Sequence, residues 1–364
     1  MSLVPLEYYN QIYHIFIFFV VTIVFIKGFG DKLNSQSNIN STNLLGLFLF
    51  FVVLFYMGFR PISYQFGDMG SYAKQFQEFK SGVIPTFKKD ILFEYLMYFF
   101  AQFTNANIFF FFCSFLYIYP LFIISKKLFK EYWFYSFLIF LASFSFWAYG
   151  TNGIRNGFAT SIFLLAICQK RIVFKIILLT VAVLTHQSLY IPVLAYILTI
   201  FYKNNKTYFI IWLMVIPISL VLGNVLEGFF LNLGLGQKED IQGYLGEFDE
   251  DSENVVLKVG FRWDFLIYSA SAVYAAWFFI YKKKFNDLLY SQFVNIYLTA
   301  NAFWVLVIRA NFSNRFAYLS WFMMGLIIIY PLLKVKFYNN QHQVIGLILL
   351  VYCFFSFLLN FILG

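Results

Sequence analysis

YNQIYHIFIFFVVTIVFI, residues Tyr9 to Ile26, runs without a charged side chain and is closed by Lys27. At a rise of about 1.5 Å per residue such a helix reaches about 27 Å, close to the roughly 30 Å of hydrocarbon in a bilayer. The run is continuous and lacks a period of two, which predicts a membrane helix and not a barrel strand. It has no small-residue cleavage site, so it reads as a retained helix and not a signal peptide. Eleven further runs of this kind follow, roughly Leu44–Phe59, Ile108–Ser125, Trp133–Tyr149, Phe158–Gln169, Ile172–Thr185, Leu189–Tyr202, Tyr208–Leu222, Trp263–Tyr281, Leu288–Ile308, Phe316–Leu333 and Val344–Leu363. Phe158–Gln169 and Ile172–Thr185 are short for a span.

The composition agrees. With 61% hydrophobic, 24% aromatic and 12% charged residues, the chain is excluded from the soluble classes. The expected fold is all-α, a polytopic helical membrane protein of about twelve spans forming one domain over residues 1–364. There is no internal repeat, and the only polar linker is Asn34 to Asn43.

Charge orients the helices. Lys27/Lys32, Lys126/Lys127/Lys130, Lys170/Arg171/Lys175, Lys203/Lys206, Lys282/Lys283/Lys284 and Lys334/Lys336 fall in alternate loops, as short cytoplasmic loops do. These fifteen bases against Asp31, Glu131 and Asp287 leave +12 on that face, and the remaining eleven bases and fourteen acids leave −3 on the other. The net +9 is therefore an orientation signal, and no nucleic-acid partner is expected. Both termini come out external. Five of the six arginines, Arg60, Arg155, Arg262, Arg309 and Arg315, also fall outside, where topology rules disfavour them. An anionic ligand on that face is the reading that explains them.

Two external segments exceed ordinary connectors, residues 60–107 and 223–262. The first contains an amphipathic stretch, Tyr72 to Phe79, and an apolar run, Ile91 to Phe103, that carries Glu94 and Gln102 and is expected along the interface. The second gathers Glu239, Asp240, Glu247, Asp249, Glu250, Asp251 and Glu253. Their spacing matches no calcium loop, so a solvated cap is the expectation. His14, His186 and His342 are too far apart for a zinc site, and no metal or cofactor is expected. Cys113, Cys168 and Cys353 lie within spans and read as packing residues.

The chemistry concentrates at external helix ends. In TNGIRNGFATS, Thr151 to Ser161, a turn with Asn152 and Gly153 opens a helix with Arg155 in its first turn. Free amides at a helix start attract anions, and a guanidinium beside them offers a two-pronged phosphate clamp. An interfacial arginine is the blander alternative. His186, before Gln187 and Ser188, places an imidazole between two spans. It can take a proton from a hydroxyl, or merely cap a helix end. Arg309 and Arg315 flank the turn RANFSNR. With Arg155 and Arg60 they would surround a pyrophosphate, or they anchor to headgroups. Asp68, set by Gly67 and Gly70 in GDMGSY, would orient a sugar hydroxyl, serve as an alternative base, or pair with an arginine.

The order Arg60, Gly67-Asp68, Tyr72, then Asn152-Gly153-Ile154-Arg155-Asn156-Gly157-Phe158-Ala159, then His186-Gln187-Ser188 resembles the EpsG/Wzy group of bacterial polysaccharide polymerases. Asn156 stands where that pattern has Gln, and the acidic loop matches no family motif. The resemblance implies a GT-C-like glycosyltransferase architecture in the bacterial inner membrane, with the site facing the periplasm or exterior. The substrate it implies is an oligosaccharide linked to undecaprenyl pyrophosphate, held among membrane lipid, with a chain-length regulator as a further partner. It implies His186 or Asp68 in catalysis, and Arg155, Arg315, Arg309, Arg60, Asn152 and Tyr72 on pyrophosphate and glycan. An O-antigen ligase and a non-enzymatic flippase or transporter are the alternatives. The latter is disfavoured because neither paired halves nor broken helices are apparent and the mid-span polar residues Asn295, Thr299 and Asn301 are few.

Overall fold

The computed structural model describes residues 4–232, 260–309 and 314–363. The acidic residues Glu239 to Glu253 and turn residues 310–313 lie outside the described residues. Every regular element among the described residues is helical. They are α1 (Tyr9–Gly30), α2 (Gln36–Gly58), α3 (Met69–Lys80), α4 (Ile91–Ala101), α5 (Ala106–Phe129), α6 (Trp133–Leu141), α7 (Phe144–Thr151), α8 (Ile154–Ile167), α9 (Ile172–Thr185), α10 (Tyr190–Phe201), α11 (Asn205–Asn232), α12 (Trp263–Trp277), α13 (Leu288–Leu306), α14 (Asn314–Trp321), α15 (Met324–Lys334) and α16 (Gln341–Leu363).

Seven stretches among the described residues are long and apolar enough to cross a membrane: Leu6–Gly30, Gln36–Gly58, Ala106–Leu141, Asn205–Leu222, Trp263–Lys282, Asn314–Lys334 and Gln341–Phe361. The protein is an all-α, multi-pass membrane protein. The expected twelve spans do not map one to one onto these seven. α8 and α9 have 14 residues each, about 21 Å, and α4 has 11, about 16 Å, all short of the hydrocarbon thickness.

α1 shows why these helices belong in lipid. Tyr13, Ile17, Val20, Val21 and Val24 are buried, while Ile12, Ile15, Phe19, Ile23 and Ile26 on the other side are exposed. A helix apolar all round has no face for water, so the exposed stripe meets acyl chains. Side-chain caps set several starts. Ser35 accepts from the Asn38 N–H, Asn105 from Ile108 and Asp287 from Tyr290, each satisfying an amide that has no intrahelical partner.

Two runs expected to be continuous are broken. Trp133–Tyr149 divides into α6 and α7 at Ala142 and Ser143, and Phe316–Leu333 divides into α14 and α15 at Phe322 and Met323. No proline or glycine announces the first break. It persists because freed backbone groups find partners: Tyr13 donates to the Leu141 carbonyl at 2.7 Å, Ser143 donates to Ile139, and Tyr352 donates to the Ser143 hydroxyl. Inside a membrane such compensation is what makes irregular backbone tolerable. The absence of broken helices that weighed against a transporter therefore does not hold.

The chain divides into two compact units, residues 1–190 with 329–364 and residues 191–328. In the first, α1 packs along α16, and α5 lies between α2 and α8. In the second, Asn301 on α13 joins its neighbours. Its amide donates to Ser269 and Ser320, and its oxygen accepts from the Trp212 indole at 2.8 Å. A buried asparagine with these partners fixes helix register as well as position. The mid-span polar residue is thus glue.

Candidate functional site

The three sequence stretches that stood out converge within the first unit. α3 and α4 follow α2 and pack through Tyr72 against Phe93 and Phe79 against Tyr98. The turn before α3 is built on Gly67, whose φ of +62° is left-handed, and a Cβ there would lie 2.3 Å from the Asn152 amide oxygen. The missing side chain lets Asn152 reach across and accept the Asp68 backbone N–H at 3.0 Å. This joins the start of α3 to the turn before α8.

α8 starts at Ile154, immediately after Gly153, and Arg155 is its second residue. Gly157 allows the turn to fold tightly, since a Cβ there would meet the Tyr149 carbonyl oxygen at 2.5 Å. A cation at a helix start opposes the helix dipole, so Arg155 needs an anionic partner. That partner is Asp90. Arg155 Nη1 donates to Asp90 Oδ2 at 2.6 Å, and Arg155 Nε donates to the Tyr72 hydroxyl at 2.9 Å, with the guanidinium 5.2 Å from the Tyr72 ring centre.

α9 ends at Thr185, and His186 takes an extended backbone before a short turn leads into α10. Its Nδ1 lies 2.9 Å from Asp90 Oδ2, and the Gln187 N–H donates to Asp90 Oδ1 at 2.9 Å. Asn156 Oδ1 accepts from the Ser188 hydroxyl at 2.9 Å, tying the α8 motif to this turn. A charged carboxylate only accepts, so His186 Nδ1 donates to it, and in the neutral ring the lone pair is on Nε2. This nitrogen is the one able to take a proton.

Asp90 is the centre, and sequence reasoning missed it. It is 4% exposed and has a left-handed φ of 49°. A non-glycine residue held there costs on the order of 1–3 kcal/mol and persists only when its surroundings fix it. Three side-chain hydrogen bonds, one of them the ion pair with Arg155, do so. Burial works to raise its pKa, but the His186 hydrogen bond and charge, the Arg155 charge and the Gln187 N–H outweigh it and hold the carboxyl below its ordinary 3.8. The sequence signal was an aspartate just before an apolar run, with Glu94 four residues on, an ordinary helix-start pattern. Glu94 reaches back to the Phe87 N–H and shapes this loop.

The other expected site residues divide. Burial pushes the Tyr72 phenol up to about 12 against the pull of Arg155, so Tyr72 is a hydrogen-bonding phenol and not a base near neutrality. Asp68 is half-buried, and its carboxylate makes no hydrogen bond or ion pair among the described residues. Its negative charge acts on Arg155 and on the Tyr72 phenol, while the direct contact to Arg155 is made by Asp90. Arg60 is 1% exposed and donates to the Met57 and Thr151 carbonyls, with Phe66 and Phe110 rings within 6 Å. Burial pulls its pKa down to about 10, so it stays cationic. These contacts clamp the end of α2 to the end of α7 and do not present Arg60 to a ligand. Arg309 and Arg315 belong to the second unit: Arg309 donates to the Leu220 carbonyl at 3.0 Å, and Arg315 is the second residue of α14. Arg262 forms a two-pronged pair with Asp264 at 2.9 and 2.6 Å.

Arg155 therefore holds Tyr72 and Asp90 with two of its five N–H donors, and its side chain is 32% exposed. The site offers a guanidinium edge for an anion, an imidazole nitrogen for a proton, and a carboxylate that positions both.

No curated protein and no solved structure matches this chain. The model of the EpsG family matches residues 43–363, a stretch that takes in every side chain of the site, and the chain belongs to the EpsG family.

Proposed function

We propose that this protein is a polysaccharide polymerase that transfers a growing glycan from undecaprenyl pyrophosphate to the next lipid-linked repeat unit at the outer face of the bacterial inner membrane. Membership of the EpsG family supports a polysaccharide-polymerase type of role. The single observation that carries the finer reading is the Asp90 carboxylate shared between Arg155 and His186.

In this reading His186 Nε2 takes the proton of the acceptor hydroxyl while the acceptor oxygen bonds to the anomeric carbon of the donor glycan. The bond from that carbon to the pyrophosphate oxygen breaks, and its electron pair leaves with the diphosphate. The uncommitted N–H groups of Arg155 stabilise the developing charge, an interaction stronger at the transition state than before it. Asp90 keeps the imidazole in the required tautomer and stabilises the imidazolium. Asp68, whose carboxylate makes no hydrogen bond or ion pair among the described residues, would orient a sugar hydroxyl.

The test uses a strain lacking its own polymerase and measures glycan length for the wild-type chain and for His186→Ala and Arg155→Ala. Polymer from the wild type, with only single-repeat glycan in the variants at unchanged expression, is the expected result. Loss of all surface glycan would assign a ligase, and accumulation of inward-facing lipid-linked units a flippase.

A further inference from the structure

At the far end of α1 from Tyr9, about 30 Å along the helix axis, the first unit contains a cavity of about 720 Å³ between the end of α1, the turn after it, the end of α15 and the start of α16. Its lining includes no residue of the Asp90 and Arg155 site. We infer that this cavity is a binding site for a phosphate-bearing anion, the headgroup of an anionic phospholipid or free phosphate. The inference is independent of the polymerase proposal.

Charge is the first reason. Lys32, Lys334 and Lys336 line the cavity, and its only carboxylate, Asp31, faces Lys27 at 3.7 Å. The lining alone carries three cations against one anion, and no carboxylate pairs with any of the three lysines among the described residues. Lys334 is also held in place: it donates to the Leu128 carbonyl at 2.6 Å and stands 5.3 Å from the Tyr330 ring centre. A lysine serving only to orient the chain needs no such fixing.

The second reason is a rigid polar floor. His342 is 4% exposed, with Nδ1 at 2.7 Å from the Asp31 carbonyl and Nε2 at 2.8 Å from the Tyr135 hydroxyl. Tyr135 also accepts from Asn38, so the His342 ring, held at both nitrogens, fastens the 31–34 turn to α16. Gln341 accepts from the Phe337 and Tyr338 N–H groups and donates to the Leu332 and Val335 carbonyls, closing the loop on the other side. The volume lies in the range of small-molecule sites, about 300–1,000 Å³. Lipid phosphates occur at this level of a bilayer, and anionic headgroups settle in basic pockets at helix ends.

The full-length protein is reconstituted in two media. In nanodiscs of equal phosphatidylglycerol and phosphatidylcholine, native mass spectrometry counts retained phosphatidylglycerol. In phosphatidylcholine alone, inorganic phosphate is titrated and the Tm followed. Selective retention of phosphatidylglycerol assigns the headgroup; a saturable phosphate-dependent rise in Tm assigns free phosphate. In either case Lys32→Gln with Lys336→Gln, both at exposed positions, weakens binding by roughly tenfold per lysine. Failure of both probes to bind the wild type overturns the inference. So does a double-lysine variant that binds as well as the wild type.

Discussion

Asp90 Oδ2 accepts hydrogen bonds from both Arg155, at 2.6 Å, and His186, at 2.9 Å. One oxygen thus fixes the group proposed to hold the leaving diphosphate and the group proposed to take the proton. Neutralising it releases both at once. Asp90→Asn should cut polymer formation by roughly 10²–10⁴-fold while the chain still reaches the membrane. Wild-type chain length from that variant would remove Asp90 from the site.

Arg155→Lys keeps the charge but not the fork. A single ammonium cannot reproduce the Nε contact to Tyr72 and the Nη1 contact to Asp90 while presenting further donors to an anion. Polymer formation should fall by about 100-fold or more, almost as far as with Arg155→Ala. Tyr72→Phe, which removes one acceptor and keeps the ring, should lose only about 5–10-fold. If Lys restores full activity, recognition at this position is by charge alone.

Acid should reveal Asp90. Its carboxyl lies below the ordinary 3.8 when folded, so its contribution to stability is complete above that value and is lost as pH falls through the depressed one. The Tm of purified wild-type protein should therefore drop more steeply below about pH 4 than that of Asp90→Asn. Parallel curves for the two would show that the ion pair contributes nothing.

Gly67→Ala should cost on the order of 1–3 kcal/mol, because the new Cβ would overlap Asn152 and the φ of +62° disfavours any side chain. The variant should lose the Asp68 to Asn152 connection and with it the alignment of α3 with α8. A Tm equal to that of the wild type would show that the turn can rearrange.

Arg60 separates packing from binding. Arg60→Ala should lower the amount of folded protein in the membrane, since it removes contacts to Met57 and Thr151 from a buried position. Normal levels of protein with no polymer would instead place Arg60 on the substrate, as the sequence alone had suggested.

The primary sequence determined the class of fold and the motifs of the site. Long uncharged apolar runs can be satisfied only as helices in lipid, because each residue must bond its backbone within its own segment. Arg155 at a helix start and His186 at a helix end were legible because their chemistry opposes their surroundings. Tertiary structure alone decided which acid they share. Asp90 lies 65 residues from Arg155 and 96 from His186 in the chain, in a loop whose left-handed backbone leaves no mark on composition. It also decided that Arg60 is sealed among carbonyls and rings and that the run from Trp133 breaks at Ser143. Burial and hydrogen-bond partners are properties of packed neighbours, and a linear chain does not carry them.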